Sequence, residues 1–346
     1  MTSNYTSTMP RSVYRSLATS SLLVNCCSSI RPCLTKIHRS RTATFLSQQP
    51  HIQISKRNFI GTPIPIKEPI MGRETIKMLV LETDVPHPET QQRRGNFGHV
   101  FKQLFEQAGD AHDPPLGVET DMHYVVETGK DPGHVPTIDE IPEDVRAIII
   151  SGSMYDAHGN DEWILKLVHL LQDLWKTRPK MRFSGVCFGH QILCRMLGSK
   201  VESTSSGRWE LAHTPLQLTK LGRELFRTQD DTIHLHQMHQ DQVTTVPSHQ
   251  TTDLLSEDDQ ISVWASTEHT QIQGIYLQDR LFTSQGHLGF DEKMVHTQIE
   301  MRQESGGIKD EQHALEAKET AALVHDGVLV AAAILRLFHG EDRDLK

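Results

Sequence analysis

The sequence predicts an α/β domain: a mostly parallel sheet with helices on both faces and an added antiparallel strand region. Three observations carry that expectation. Up to residue 200, short apolar runs alternate with segments of helical period. Turns rich in Gly and Pro separate them, and beyond residue 200 short strand-like stretches follow one another closely. Taken in order, Met78–Glu82 fits a buried first strand and the turn VPHPET leads into a helix with Phe97, Val100, Phe101, Leu104 and Phe105 on one face. Met122–Val126 and Ala147–Ile150 read as further strands, and the second of these runs into SGS. Trp163–Trp175 repeats apolar residues at Ile164, Leu167, Val168, Leu171 and Leu174, a second amphipathic helix. After residue 200, Leu216–Thr219, Thr232–Leu235, Val263–Ala265, Ile272–Leu277 and Leu281–Ser284 are strand candidates. A last helix, Val328–Phe338, has Asp326 ahead of it as a cap and Gly340 behind it.

The 346-residue chain divides by composition into residues 1–70, 71–300 and 301–346: a leader, one main domain, and a C-terminal helical extension of that domain. Residues 1–67 carry nine Lys and Arg and no Asp or Glu, so the remainder holds 26 basic against 44 acidic residues. A body that acidic repels phosphate backbones and excludes nucleic acid as the expected partner. The Ser/Thr-rich, Arg-bearing leader has the composition of a mitochondrial transit peptide, with Lys56–Phe59 ahead of an expected processing site. Translation from Met71 or Met78 is the alternative and gives a cytosolic protein. No apolar run reaches the ~20 residues of a membrane span, so no membrane association is expected. Cys26, Cys27 and Cys33 fall in the leader, which leaves Cys187 and Cys194 and no disulfide framework.

The chemistry concentrates in RFSGVCFGHQILCRML. A strand ends at Val186, the chain turns at Cys187, and a helix follows with Ile192, Leu193, Met196 and Leu197 on its apolar face. Gly185 and Gly189 stand two residues either side of the cysteine, where a side chain would collide with the backbone of so tight a turn; this is the form of a nucleophile elbow. The helix N-terminus is expected to favour the thiolate of Cys187, and its N–H groups to receive an oxyanion. Cys194, inside the helix, reads as a small buried hydrophobe.

Gly185-Val-Cys-Phe-Gly-His-Gln191 resembles the G-x-C-x-G-x-Q signature of class I glutamine amidotransferases. ISGSMYDA (150–157) resembles that family's oxyanion loop, MHQDQVTTVP (238–247) its H-x-D-x-V-x-x-x-P segment, and QGHLGF (285–290) its Q-G-H-P-E-F. The nearest likeness is to the stand-alone, GMP-synthase-like branch that includes γ-glutamyl peptidases. The resemblance implies a flavodoxin-like fold and a Cys-His-Glu triad that hydrolyses a glutamine side-chain amide through a γ-glutamyl thioester. It implies Cys187 as nucleophile, His287 as general base and then acid, the N–H groups of Gly152 and Phe188 as oxyanion donors, and Gln191 as a residue that helps hold the glutamyl group. No cofactor and no metal are implied.

One position departs from that pattern: His287 is followed by Leu288-Gly289 where the family places Pro-Glu. The missing carboxylate would fix the tautomer of the imidazole and steady the imidazolium. Asp291 and Glu292 are the nearest substitutes in sequence, and Glu268 and Asp241 candidates from other loops. His234, His236 and His239 are spaced for a shared strand face but lack the further ligands of a zinc site. Arg208-Trp209-Glu210 is expected beside the pocket by resemblance; a Trp209 packed on the core is the plainer alternative. Two functional expectations stand: a cysteine hydrolase acting on glutamine or a small γ-glutamyl amide or peptide, and a weakened or silent relative that binds or regulates. About fifty residues after the last motif cannot form a synthetase domain, so ammonia transfer would need a separate synthetase subunit.

Overall fold

The computed structural model describes residues 73–128 and 131–342. The expected leader, its cysteines and its processing site lie outside the described residues. From the N-terminal side the elements are β1 (Thr75–Glu82), α1 (Pro88–Arg94), α2 (Phe97–Asp110), β2 (Gly117–Tyr124), β3 (Glu127–Thr128), β4 (Asp131–Pro132), β5 (Ala147–Ile150), α3 (Glu162–Thr177), β6 (Arg182–Val186) and α4 (Phe188–Met196). There follow β7 (Val201–Ser203), β8 (Glu210–Leu218), α5 (Lys220–Phe226), β9 (Thr232–His239), β10 (Asp241–Val243), β11 (Ser262–Ser266), β12 (Gly274–Leu277), β13 (Leu281–Ser284), α6 (Glu292–Glu304), α7 (Glu311–Thr320) and α8 (Gly327–His339).

Nine strands form one sheet in the order β2-β1-β5-β6-β13-β12-β11-β8-β9. The first five run parallel and the remaining pairings are antiparallel, so the predicted parallel sheet with an antiparallel addition is what forms. Alternate side chains of the central strands serve opposite faces. Ile148 and Ile150 pack with α3 and α4, through Trp163, Leu167 and Ile192. Ala147 and Ile149 pack on the other side with Phe105 of α2, Leu225 of α5 and Ile334 of α8. A smaller cluster joins Met294, Val295 and Ile299 of α6 and Ala314 of α7 to Leu211 and Met238 of the antiparallel strands.

Several boundaries differ from the sequence reading: the strand read as Leu216–Thr219 runs Glu210–Leu218, that read as Thr232–Leu235 runs on to His239, and that read as Ile272–Leu277 begins at Gly274. The second strand begins at Gly117, five residues before Met122, because it is the sheet edge: Gly117–Tyr124 pairs on one side only and holds the polar run GVETD in partial exposure. Val125 and Val126, read as its end, lie beyond it and are fully buried. Asp326 does sit at the cap position of α8, but its carboxylate accepts the His234 N–H at 2.7 Å and so ties the helix to β9. Gly340 closes α8 in the left-handed conformation, φ 89°, as a helix-ending glycine should. At the other end of α8, a Cβ added to Gly327 would lie 1.8 Å from the Leu288 carbonyl oxygen, so the helix start rests against the loop that follows β13.

Candidate active site

β6 delivers its chain at the carboxyl edge of the parallel strands, where open α/β sheets place their sites. Cys187 occupies the corner between β6 and α4 with φ 54° and ψ −108°, a left-handed conformation that costs a residue with a Cβ on the order of 1–3 kcal/mol. The corner is held by its backbone: the Cys187 N–H donates to the Ser284 carbonyl at 2.8 Å, and its own carbonyl accepts from the Gln191 N–H at 3.0 Å. The flanking glycines are there for room. A Cβ on Gly185 would stand 2.3 Å from the carbonyl of Gly189, and one on Gly189 would stand 2.2 Å from the Ile150 oxygen. Because both obstacles are backbone, Gly189→Ala is expected to destabilise the fold by about 3 kcal/mol or more. Denaturant unfolding measures this, and a loss under ~1 kcal/mol would mean the helix can drift off β5.

His287 reaches the same place from β13, the parallel neighbour of β6. Its N–H donates to the His236 carbonyl at 2.8 Å, and the Phe290 ring stacks on its imidazole at 3.8 Å and 16°. Gly152, in the loop after β5, lies between the two reactive groups. A point one Cβ away from its backbone is 3.5 Å from Cys187 Cβ, 3.0 Å from His287 Cε1 and 3.7 Å from His287 Nδ1. The Cε1–Nδ1 edge of the imidazole therefore faces Gly152, which also borders Cys187, and His287 is 7% exposed.

Burial decides the charge state of both groups. Desolvation pushes the Cys187 thiol up to about 12, outweighing the Phe188 N–H directed at the sulfur and the more distant Arg302 cation. This corrects the expectation of a thiolate favoured by the helix end. Desolvation, with His239 and His236 nearby, takes His287 down to about 3. Free of substrate, the site holds a thiol beside a neutral imidazole.

The place of the missing carboxylate is now visible. His287 Nε2 is buried and has no hydrogen-bond partner among the described residues. Asp291 caps α6 and is gripped by Arg93 at 2.6 and 2.9 Å and by Arg94 at 2.8 Å. Although burial opposes it, those guanidiniums and the Met294 N–H hold its carboxyl at about 2. Glu292, on the first turn of α6, and Glu268 are exposed. Asp241 bonds Ser203 at 2.5 Å and His158 at 3.3 Å, on the side of the site that faces Cys187. None of the four substitutes read from the sequence is bonded to Nε2. Val100 of α2 occupies the vacated room: a Cβ on Gly289 would meet its Cγ1 at 2.6 Å.

Gly152 and Phe188, the oxyanion donors expected by resemblance, both lie against Cys187: a Cβ on Gly152 would stand 3.5 Å from Cys187 Cβ, and the Phe188 N–H is directed at the sulfur. Thr83 Oγ1 donates to the Gly152 carbonyl at 3.1 Å and fixes that loop, while the Gly152 N–H takes no partner among the described residues. Gln191 is placed differently from the expectation. Its amide nitrogen donates to the Asp241 carbonyl at 2.9 Å and to Gln285 Oε1 at 3.1 Å, so it positions Asp241 and Gln285 and has no N–H to spare for a ligand. A cavity of about 120 Å³ opens over Cys187 between Asp156, Trp209, Asp241 and Arg302, and a smaller lobe of about 50 Å³ runs to His287 and Gly289. Trp209 answers to both readings made of it, since it lines the cavity and packs on the third core cluster, under the Arg302 guanidinium at 5.3 Å.

The sequence placed Glu210 beside the pocket but did not show its role. This buried carboxylate accepts from Thr267 at 2.6 Å, Gln273 at 2.7 Å and His239 Nε2 at 2.9 Å. It thereby orients His239, whose Nδ1 lies 3.0 Å from the Asp241 carbonyl at the cavity wall. The partners stand 29 to 63 residues away, and no local pattern announces them. The β9 histidines do not converge: His239 belongs to Glu210, His236 is buried behind the catalytic loop, and His234 is part-exposed.

Residues 120–299 match the family model described as glutamine amidotransferase class-I. A glutamine amidotransferase-like protein of Schizosaccharomyces pombe is 27% identical over 259 residues, which is 74% of this chain and 96% of the relative. γ-Glutamyl peptidase 3 of Arabidopsis thaliana is 25% identical over 206 residues, 58% of this chain and 72% of its own length. The crystal structure of a glutamine amidotransferase from Methylobacillus flagellatus shares the fold, with a TM-score of 0.54 at 16% identity over 78% of this chain and 95% of that one. The match spans more than half of the chain, including most of β2, all later strands of the main sheet from β5 to β13, the elbow and the histidine loop. On that extent, and with its flavodoxin-like sheet, the chain belongs to the class-I glutamine amidotransferase family.

Proposed function

We propose that this chain hydrolyses the γ-amide or γ-peptide bond of glutamine or a small γ-glutamyl compound, using Cys187 and His287 as a dyad. The observation that supports it best is the convergence at Gly152 of a corner thiol, the Nδ1 edge of a neutral imidazole, and the N–H groups of Gly152 and Phe188. Cys187 Sγ attacks the γ-carbonyl carbon while His287 takes the thiol proton, and the two N–H groups receive the oxyanion. The C–N bond then breaks, the amine leaves with the proton from His287, and a thioester remains. His287 next draws a proton from water; hydroxide adds to the thioester carbonyl, and glutamate leaves as the C–S bond breaks and the thiol is restored. Arg302 on one wall and Asp156 and Asp241 on the other offer opposite charges suited to the α-carboxylate and α-ammonium of a glutamyl group. Relatives named γ-glutamyl peptidases favour a peptide substrate. Hydrolysis needs no partner; ammonia delivery would require a separate synthetase, as the 27% identity over 146 residues to a GMP synthase of Bacteroides fragilis suggests.

A second reading, a silent binding protein, is favoured by the partnerless Nε2 and by Val100 standing where the third residue would be. A glutamine-analogue electrophile separates the two. Mass spectrometry is expected to find one adduct, on Cys187, absent from Cys187→Ser, together with slow release of glutamate from γ-glutamyl dipeptides. An unmodified Cys187 and no turnover would leave only the silent reading.

The charge states give a further expectation. The working form is thiol with neutral imidazole, and His287 protonates only near 3 and Cys187 ionises only near 12. kcat/KM should therefore be level from about pH 6.5 to 9. An inflection near pH 7 that disappears in a buried-histidine variant would show that the imidazole titrates as an exposed one does.

A further inference from the structure

Away from the elbow, a second group of side chains gathers where the C-terminus of α8 meets the connection from α2 to β2. One nitrogen each of His112 and His339 and a carboxylate oxygen of Glu341 lie within 4.8 Å of one another. His112 Nε2 is 3.1 Å from Glu341 Oε2, and His339 Nδ1 is 2.5 Å from Glu341 Oε1. The outer nitrogens are spoken for as well. His112 Nδ1 stands 2.7 Å from the Pro114 carbonyl, which only accepts, so Nδ1 donates there and Nε2 is the nitrogen that faces the Glu341 carboxylate. His339 Nε2 stands 3.2 Å from Glu74 Oε2.

Each nitrogen–carboxylate contact is satisfied by a cation between its two atoms, either a proton on the imidazole or a metal ion that displaces it. We propose that His112 Nε2, His339 Nδ1 and the Glu341 carboxylate bind one divalent transition metal ion of the zinc class. Two imidazoles and a carboxylate are a donor set suited to zinc, cobalt or nickel and a poor one for calcium or magnesium. Each ring also carries the outer hydrogen bond that fixes a metal-binding tautomer, to a backbone carbonyl for His112 and to a carboxylate for His339. Tetrahedral zinc sets ligand atoms about 3.3 Å apart, so a pair at the 4.8 Å limit closes by roughly 1.5 Å, a side-chain adjustment. His112 is 8% exposed and Glu341 31%, which leaves a path for the ion to enter from solvent. The ion would join the end of α8 to the α2–β2 connection, segments more than 200 residues apart in sequence.

The test uses the tag-free full chain, stripped with chelator and dialysed. Calorimetric titration with zinc is expected to give one ion per chain with low-micromolar or tighter affinity, and Co²⁺ to give the visible absorption of a four-coordinate site. His112→Ala and Glu341→Gln should each weaken zinc binding by roughly 30-fold or more, with the far-ultraviolet circular dichroism confirming that at least one of them folds. Cys187→Ser should bind as wild type does. No stoichiometric zinc at low-micromolar free ion, binding unchanged in both ligand variants, or binding lost in Cys187→Ser would each overturn the proposal.

Discussion

Gly289→Glu combined with Val100→Ala is expected to raise kcat on γ-glutamyl substrates by about 10²–10³, whereas Gly289→Glu alone gains little. In serine enzymes the group that orients the catalytic histidine is worth about 10⁴ in kcat, and a thiol nucleophile depends on it less. The reason for the pair lies in the packing. The buried Nε2 of His287 is where such a carboxylate would bond, but the first carbon of any side chain at 289 meets Val100 Cγ1 at 2.6 Å. Val100 is stiff about χ1 and 4% exposed, so it does not step aside on its own. Removing its two methyl groups opens the space and costs some stability, on the order of 1–3 kcal/mol, which a denaturation curve will register. Steady-state kinetics of the four variants in the cycle decide the matter. A double variant no faster than wild type would show that the dyad does not lack an orienting group, and that His236 and Phe290 already hold the ring.

The second large effect is on stability in acid. Lowering the pH from 7 to about 4.5 is expected to unfold the protein cooperatively. His190 and His287 are taken down to about 3 and His236 to about 4, in each case chiefly by burial. All three folded values lie below the unfolded value of 6.5. Below that pH the unfolded chain takes up protons that the native state refuses, so stability is full above 6.5 and declines as the pH falls. Each site contributes about 1.4 kcal/mol per pH unit, roughly 4 kcal/mol per unit for the three. Over two units that is roughly 8 kcal/mol, enough to unfold a protein in the lower half of the usual 5–15 kcal/mol stability range. Circular dichroism followed through an acid titration, with proton uptake measured alongside, checks this. A native spectrum at pH 3.5 would mean that at least two of the rings are charged in the fold.

Much of this was readable in the chain before any coordinates. The elbow was, because its requirement is local: two glycines at fixed distances from a cysteine, between a strand and a helix, answer to backbone contacts within one turn. The central strands were, because burial on both faces leaves an unbroken apolar run such as Ala147–Ile150. The start of the edge strand was not, since a half-covered strand keeps polar residues and Gly117–Asp121 carries no strand pattern. What the site does with its charges was also hidden. The helix end argued for a thiolate, yet the desolvation that outweighs it comes from elements far along the chain. The roles of Glu210 and Val100 were hidden for the same reason: each matters through a neighbour that only folding supplies. Gln191 was correctly placed at the elbow but both of its side-chain N–H groups are engaged within the protein, which no motif records.

The contact between Gly327 and the Leu288 carbonyl has a practical side. Helix α8 closes over the parallel half of the sheet and, at its first residue, props the loop that carries the imidazole. Expression clones trimmed at the end of the recognisable motifs, near residue 300, would delete that support along with a wall of the core. Soluble material from such clones would then report on a damaged protein, and inactivity measured on it would say nothing about the intact one.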